Sequence, residues 1–513
     1  MNLNIYIKGA SLALVLLTAG ACENDFEEIN RNPNQPEQVN ADLLLPDIIR
    51  RTVNEMVGES WNYGNIMMQY TSKIQFTSED RYDFGPRDDP WGPFYDELRD
   101  LNNMVEIATE NEQNNILGVA LVMKSWMYHI LTDAYGDIPY AEATKGKSDA
   151  NYFPAYDPQQ AVYEGILADL KQANSLLGTS NEAVSGDILY DGNLSKWKKF
   201  ANSLQLRIHM RLSDRIDPSA AMSSILSDPN TYPIFEDNED QAALTYLSAS
   251  PNQWPQYTNR SGSYDEIRMS TTMEAALKER DDPRLFVYYQ PTNDSGEPFI
   301  GAEEDYAGVP NGLADEAALQ YSPSGDPAKG GSNFISRVGL MFACLTCNPN
   351  TQPNAAEGIV MSYAELLFIL AEAAERGFIG GDPAEFYQNG IQASFDYYNE
   401  RVPAAYGISV TPGPDYFTQP NVAYTGTQAE KLLKIGTQKW IALFFSGLEA
   451  WFDWRRTGIP TITPGPDNVN NDRVPVRFGY PTSEQLLNGD SYKAAVARQG
   501  QDTYNTRVWW DID

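Results

Sequence analysis

The sequence is poor in the side chains that most enzymes use for acid–base, nucleophilic or metal chemistry. Its 513 residues include only three cysteines and two histidines. Because histidine is the most frequent general acid–base, catalysis built on histidine is nearly excluded. The motifs His-Glu-x-x-His and Gly-x-Ser-x-Gly do not occur either. We therefore expect no enzymatic activity, no cofactor and no metal site.

Basic residues are also scarce. Lys and Arg number 37 against 70 Asp and Glu, which gives a formal net charge of -33. Such a surface repels nucleic-acid phosphates, so nucleic-acid binding is excluded. It also repels anionic lipid headgroups, so a membrane anchor cannot be a basic patch. The composition, 42% hydrophobic and 21% charged, is typical of a folded body with a sizeable core.

No apolar run is long enough to span a bilayer, but the N-terminus has the pattern of an export signal. Lys8 precedes the short apolar run Ala10–Leu17, which is followed by small residues and then Cys22. A cysteine after small residues is typical of a bacterial lipobox. We expect a signal peptide over residues 1–21, lipidation of Cys22 and a flexible tether over 22–40. The alternatives are ordinary signal cleavage with an incidental thiol, or an Ala-rich segment without function.

The other two cysteines form a single C-x-x-C pair, Cys344 and Cys347. In an exported protein this spacing favours a local disulfide. Free thiols and metal or redox chemistry are the alternatives. A zinc site would need two further ligands, and His129 and His209 both lie in apolar helical runs that indicate core positions.

Helical periodicity dominates the rest of the chain. We predict antiparallel helix pairs, as in a helical-hairpin solenoid, formed by 95–110 with 115–135, 158–177 with 195–215, and 362–377 with 383–400. Helix starts are predicted at Asp157-Pro158, Asp382-Pro383 and three capping-box spacings, which are Ser362 with Glu365, Thr427 with Glu430, and Thr482 with Gln485. The second box opens a long helix to about Trp454.

Between residues 216 and 360 the character changes. Pro, Gly, Asn, Ser and Tyr accumulate, and helical periodicity fades. Ligand contacts favour loops that a rigid scaffold holds, so we expect this region to face the ligand. No clean linker divides the body, which predicts one domain over 41–513.

Aromatic residues are the positive signal for binding. They make up 12% of the chain, with 30 Tyr, 10 Trp and 20 Phe. Trp and Tyr faces stack on the apolar C–H face of a sugar ring, and Tyr also contacts peptides well. The candidates for ligand contact are aromatics beside polar residues, namely Trp254, Tyr257, Tyr264, Tyr82, Tyr306 and, more weakly, Trp61. The alternative for each of them is local packing.

Many short motifs, in order along nearly the whole chain, resemble the SusD/RagB family of nutrient-binding outer-membrane lipoproteins, in its SusD-like branch. They are Asn30–Asn34 with Ala41–Pro46, Asp133–Tyr140, Trp197–Leu204 with Arg207 and Arg211, Asp282–Leu285, Tyr363–Glu365, Gln438–Phe444, Glu449–Trp451, Trp454–Gly458, Pro475–Arg477, Tyr480–Pro481 and Trp509–Asp511.

The resemblance implies a mostly α fold built on tetratricopeptide-like pairs. It also implies a body that caps a TonB-dependent transporter of the SusC type, with the lipid anchor in the outer membrane and the protein facing the extracellular side. The C-x-x-C pair is not part of the resemblance. The helical spacing of Trp440, Trp451, Arg455 and Arg456 favours core packing with buried Arg pairs over a ligand cleft.

The sequence therefore predicts reversible capture of a nutrient, with an oligosaccharide as the preferred ligand. An oligopeptide ligand, a surface hydrolase and a purely structural scaffold are the alternatives. The cluster Asp467 to Asp472 offers oxygen ligands for calcium, but its spacing fits no EF-hand.

Overall fold

The structure is a computed structural model that describes residues 40–258, 266–292, 295, 299–322, 335–342 and 354–512. The expected signal peptide and nearly all of the tether lie outside these ranges. Among the described residues, no helix combines the length and the apolar character needed to cross a membrane.

Helices dominate the described residues, as predicted. The longer ones are α1 Leu45–Glu59, α2 Trp91–Glu110, α3 Asn114–Tyr135, α4 Gln159–Leu176, α5 Leu194–Arg211, α6 Ser219–Leu226, α7 Thr271–Lys278, α8 Tyr363–Glu375, α9 Pro383–Arg401, α10 Gln428–Ala442, α11 Glu449–Thr457, α12 Thr482–Leu487 and α13 Gly489–Gln499. Single helical turns occur at Asn65–Met67, Gly146–Asp149, Leu285–Tyr288 and Asp315–Ala318.

The strands are short and pair in twos, always antiparallel. β1 Thr71–Lys73 pairs with β5 Ile267–Met269, β2 Ile138–Pro139 with β3 Tyr156–Asp157, and β4 Ala242–Thr245 with β6 Glu357–Met361. The described parts of 216–360 therefore hold only short helices and strands between loops.

The helices stack as consecutive hairpins. α3 packs against both α2 and α4, α5 packs against α4 and α8, and α8 packs against α9 and α10. α3 is buried along nearly its whole length because it lies between two neighbours. All three predicted helix pairs are confirmed, and the fold is mostly α with tetratricopeptide-like hairpins.

Most predicted helix starts are correct, but two caps are different. The Asp382 side chain caps α9, and Thr427 with Glu430 forms the full capping box of α10. Asp157 instead accepts hydrogen bonds from the backbone of Tyr140 and Ala141. The N-terminus of α4 is capped across space, where the Gln159 N–H donates to the carboxylate of Asp137 at 2.9 Å.

The other cap that differs is at α12. This helix begins at Thr482, but it has no side-chain cap. The predicted box of Thr482 with Gln485 is therefore wrong, although the predicted start of the helix is right. The Ser362 half of the first box is present, because Ser362 accepts the Glu365 N–H at 3.1 Å.

The predicted long helix to Trp454 is wrong, because the chain breaks between α10 and α11. Phe445 and Gly447 have φ of 62° and 65° in the break. The break places the Phe444 and Phe445 rings in the core, where Phe445 stacks on Phe342 with 4.7 Å between ring centroids. Burial of two aromatic rings favours this turn over continuous helix.

The predicted core role of the tryptophans and arginines around this break is confirmed. Trp440 and Trp451 are buried. The guanidinium of Arg456 pairs with Glu372 at 2.6 Å and with Asp453 at 3.0 Å. Arg455 lies over the Trp451 ring, 4.5 Å from its centroid. These side chains stabilise the hairpin stack and do not line an open cleft.

Candidate binding cleft

The described residues form a cleft of about 660 Å³, called here the binding cleft. It lies where loop 187–191, β4 with the residues after it, the start of β6 and one residue of α1 meet. Its lining comprises Arg50, Asp187, Ile188, Leu189, Tyr190, Asp191, Lys196, Asn238, Glu239, Gln241, Ala243, Leu244, Thr245, Tyr246, Leu247, Asn252 and Glu357.

One wall of the cleft is loop 187–191, whose turn is stabilised by the buried carboxylate of Asp187. This carboxylate accepts hydrogen bonds from the backbone N–H groups of Leu189 at 2.9 Å and Gly192 at 2.9 Å, and from Trp197 Nε1 at 2.7 Å. A carboxylate with several donors holds a tight turn rigidly. The turn leaves Ile188 40% exposed in the cleft wall.

The opposite wall is the β4–β6 ribbon. Thr245 lies opposite Glu357 in the register, and its hydroxyl donates to that carboxylate at 2.6 Å. Beyond β4, Leu247 is 56% exposed, and its N–H donates to the Asn252 carbonyl at 2.6 Å. The ribbon therefore presents an apolar side chain next to amide and hydroxyl groups.

The charges of the lining are unequal. Arg50 and Lys196 are cationic, whereas Asp187, Asp191, Glu239 and Glu357 are carboxylates, an excess of two negative charges. The Lys196 ammonium donates a hydrogen bond to the Glu239 backbone carbonyl at 2.5 Å, which fixes the position of this side chain. The excess negative charge of the lining would repel an anionic ligand but not a neutral one.

Four of the six predicted ligand-binding aromatics, whose side chains the structure describes, do not line this cleft. Trp61, Tyr82, Trp254 and Tyr306 are 1–3% exposed and pack in the core. Rings at that exposure offer no face for stacking on a ligand. Sequence patterns gave them polar neighbours along the chain, but tertiary packing encloses them.

Two of these aromatics come together in one aromatic cluster. The rings of Trp61 and Trp254 both lie about 6 Å from the ring of Phe445, at 6.0 and 5.9 Å between centroids. Trp254 also donates from Nε1 to the Phe342 carbonyl and packs edge-on against Tyr246 at 5.4 Å. Since Tyr246 lines the binding cleft, Trp254 supports the cleft wall from behind.

The remaining predicted site residues are not placed by the structure. Cys22, Tyr264, Cys344 and Cys347 lie outside the described residues. Tyr257 belongs to the short 3-10 helix Pro255–Thr258, and its side chain is not described. Lipidation of Cys22 and a disulfide between Cys344 and Cys347 remain predictions.

The Asp467 to Asp472 cluster is held by hydrogen bonds within the protein. The Asp467 carboxylate accepts the Ala314 N–H at 2.9 Å, and Asp472 accepts from the Asn468 amide at 2.8 Å. Among the described residues, neither Asp467 nor Asp472 belongs to a group of three or more convergent His, Cys, Asp or Glu side chains.

The sequence matches the model of a known protein family over most of its length. The model of the SusD-like family described as "Starch-binding associating with outer membrane" matches residues 33–481. The chain belongs to this SusD-like family. The resemblance seen in the sequence motifs is thereby confirmed, and the family is one of nutrient-binding proteins associated with the outer membrane.

Solved structures agree with this SusD-like assignment. A SusD homologue from Bacteroides fragilis is 27% identical, with a TM-score of 0.77 over 92% of this chain and 99% of that chain. An outer-membrane protein from Bacteroides vulgatus, described in terms of nutrient binding, is 28% identical, with a TM-score of 0.76 over 92% and 100%. A chitin-binding protein is 26% identical, with a TM-score of 0.76 over 92% and 100%. No curated protein matches significantly.

The binding cleft of this SusD-like protein is lined by residues that were not predicted from the sequence. The acidic stretch before β4 lies in the predicted loop-rich region, but loop 187–191 and Arg50 lie outside it. One signal was available. Ile188 and Leu247 are large apolar residues in polar loops, a setting in which only aromatics were predicted as ligand contacts.

Proposed function

We propose that this protein captures a neutral oligosaccharide in the binding cleft and delivers it to a SusC-type TonB-dependent transporter. The observation that carries this proposal is the pairing of exposed Ile188 and Leu247 with neutral hydrogen-bonding groups. A pyranose has apolar C–H faces and hydroxyls that both donate and accept, so it fits such a lining. The neutral polar side chains are those of Asn238, Gln241, Thr245 and Asn252.

The charge of the cleft narrows the ligand class. An excess of two carboxylates disfavours uronic-acid and sulfated glycans, because they would bring further negative charge. Oligosaccharides of N-acetylglucosamine are neutral, and a chitin-binding relative of 26% identity makes them the first probes. Starch-derived oligosaccharides are the second, in view of the family description.

Two of the four carboxylates that line the cleft, those of Asp187 and Glu357, are already used in structural bonds. A glycoside hydrolase needs two carboxyl groups free to act on the glycosidic bond. Asp187 is already used by backbone donors and Trp197, and Glu357 by Thr245 and by Arg401 at 3.4 Å. Groups held in such structural bonds are poor candidates for an acid or a nucleophile.

The decisive experiment is calorimetric titration of the protein with chitin-derived oligosaccharides, starch-derived oligosaccharides and oligopeptides in parallel. We expect saturable binding of one neutral oligosaccharide series. Binding of peptides alone would replace this proposal with the oligopeptide alternative. Chain shortening of the bound oligosaccharide after long incubation would establish the hydrolase instead.

The membrane anchor completes the proposed function. We propose that an acyl chain on Cys22 holds residues 41–513, as a single domain, on the extracellular side of the outer membrane. Globomycin treatment or Cys22→Ala should remove the protein from the membrane fraction. Protease treatment of intact cells should degrade the wild-type protein, and protection from protease would contradict the extracellular side.

Delivery to a transporter is tested by co-purification. A tagged chain purified from detergent-extracted outer membranes should retain a large TonB-dependent barrel protein. Purification of the chain alone under several mild detergents would contradict the transporter partnership, and it would leave the ligand titration unaffected.

A further inference from the structure

A second cleft, of about 560 Å³, shares Arg50 with the binding cleft, and half of its lining residues are carboxylates. Glu55 on α1 and Asp89 in the loop before α2 line this cleft, and Glu59, one turn further along α1, is buried beside them. One oxygen from each of these three carboxylates lies within 4.8 Å of the others. We call Glu55, Glu59 and Asp89 the carboxylate triad.

Glu59 is the buried member of the triad, with 3% of its surface exposed. Its Oε1 accepts a hydrogen bond from Arg87 at 2.5 Å. Its Oε2 is buried and has no hydrogen-bond partner among the described residues. A buried carboxylate oxygen without a donor is costly, so the triad lacks a positive partner at this oxygen.

The arginine side chains near the triad already have other partners. Arg87 stacks on the Tyr63 ring at 3.3 Å, in addition to its pair with Glu59. Arg51 pairs with Asp47 at 2.7 Å.

We propose that the carboxylate triad binds a divalent cation, for which calcium is the best-fitting probe. Calcium takes six to eight oxygen ligands at about 2.3–2.6 Å, so two ligands on opposite sides of the ion lie about 4.8 Å apart. The separations within the triad do not exceed this span. The open cleft admits water to complete the shell, and Asp88 supplies another carboxylate at its edge.

The site joins two parts of the fold. Its ligands come from the last turns of α1 and from the loop that leads into α2, so a bound cation fixes that loop to the helix. The same helix contributes Arg50 to the binding cleft. The sequence did not reveal the site, because its ligands come from two distant stretches with no motif spacing.

The test uses the full folded protein after chelator treatment, titrated with calcium chloride by calorimetry and followed by thermal unfolding. We expect one calcium per chain and a rise in Tm on addition of calcium. Glu55→Gln and Glu59→Gln should each weaken calcium binding by roughly tenfold or more, because each removes a charged ligand. Asp96→Asn is the matched control, since this exposed carboxylate lines the same cleft outside the triad.

Two results would overturn the proposal. One is the absence of both calcium heat and a Tm shift in the wild-type protein. The other is wild-type calcium affinity in the folded Glu55→Gln variant, which would place the ion elsewhere. Glu55→Gln decides the matter if Glu59→Gln fails to fold, because Glu55 is less buried and does not pair with Arg87.

Discussion

Arg207 on α5 and Glu365 on α8 form a two-pronged ion pair, in which Nε and Nη2 each donate to a different carboxylate oxygen at 2.6 Å. Their side chains are 2% and 1% exposed. Arg207 also donates to the carbonyl of Val360, in β6 of the β4–β6 ribbon, at 3.0 Å. One guanidinium therefore joins two hairpins of the stack to the wall of the binding cleft.

Glu365→Ala should lower the free energy of unfolding by about 3–5 kcal/mol, because it leaves a buried guanidinium without its partner. Urea denaturation followed by circular dichroism measures this change. The control is Arg99→Ala, whose exposed pairs with Asp96 and Asp100 should contribute about 1 kcal/mol or less. Equal effects of the two substitutions would contradict the structural role of the buried pair.

Two glycines of neighbouring helical turns should respond to alanine in opposite directions. A Cβ at Gly64 would lie 2.3 Å from the Gly447 carbonyl oxygen, at the break between α10 and α11. A Cβ at Gly58, within α1, would meet nothing within 4 Å. Gly64→Ala should therefore destabilise the protein by about 1–3 kcal/mol, and Gly58→Ala should stabilise it by up to about 1 kcal/mol.

Thermal unfolding of the two variants measures these changes. A stabilised Gly64→Ala variant would show that the π-helical turn Ser60–Gly64, which follows α1, does not approach the break so closely. A general effect of alanine on helix content would change the stability of both variants in the same direction, whereas we expect changes in opposite directions.

The structure also predicts how stability depends on pH. His129 is fully buried, and this burial lowers its pKa to about 4, in spite of nearby Asp133 and Glu449. The positive charges of Arg211 and Arg207 also lower the pKa of His129 and so counteract the effect of the two carboxylates. At neutral pH the imidazole is therefore uncharged, and its 3.5 Å approach to Asp133 is not an ion pair.

Since the unfolded chain binds this proton near pH 6.5 and the folded chain only near pH 4, stability falls as the pH is lowered between these values. The contribution of one histidine is about 1.4 kcal/mol per pH unit within the window. His129→Gln should reduce this pH dependence, as measured by urea denaturation at pH 7 and pH 5. Identical losses in wild type and variant would contradict the neutral buried state.

The sequence predicted those parts of the fold that local patterns determine. Helix periods, the Asp382 cap and the capping box of Thr427 with Glu430 depend on residues within one turn of each other. The break at Phe445 was not predictable, because it follows from the burial of two rings against a distant segment. The cap of α4 by Asp137 likewise needs a contact across space.

The binding cleft was harder to predict than the fold. The burial of Trp254 depends on Tyr246 and Phe342, and no local pattern reports such packing. The cleft itself combines stretches that are far apart in the sequence, from Arg50 to Glu357. The predicted loop-rich region was informative to the extent that it includes Leu247 and its neighbours.

The central claim is that the binding cleft holds an oligosaccharide, and the most direct measurement is calorimetric affinity for the best-binding oligosaccharide in matched variants. Leu247→Asp places a charge in the cleft, whereas Leu487→Asp makes the same change at an exposed leucine on α12, outside the cleft. We expect Leu247→Asp to weaken binding about tenfold or more, which corresponds to about 1.4 kcal/mol, and Leu487→Asp to bind as the wild type does. Wild-type affinity in the folded Leu247→Asp variant would contradict the account.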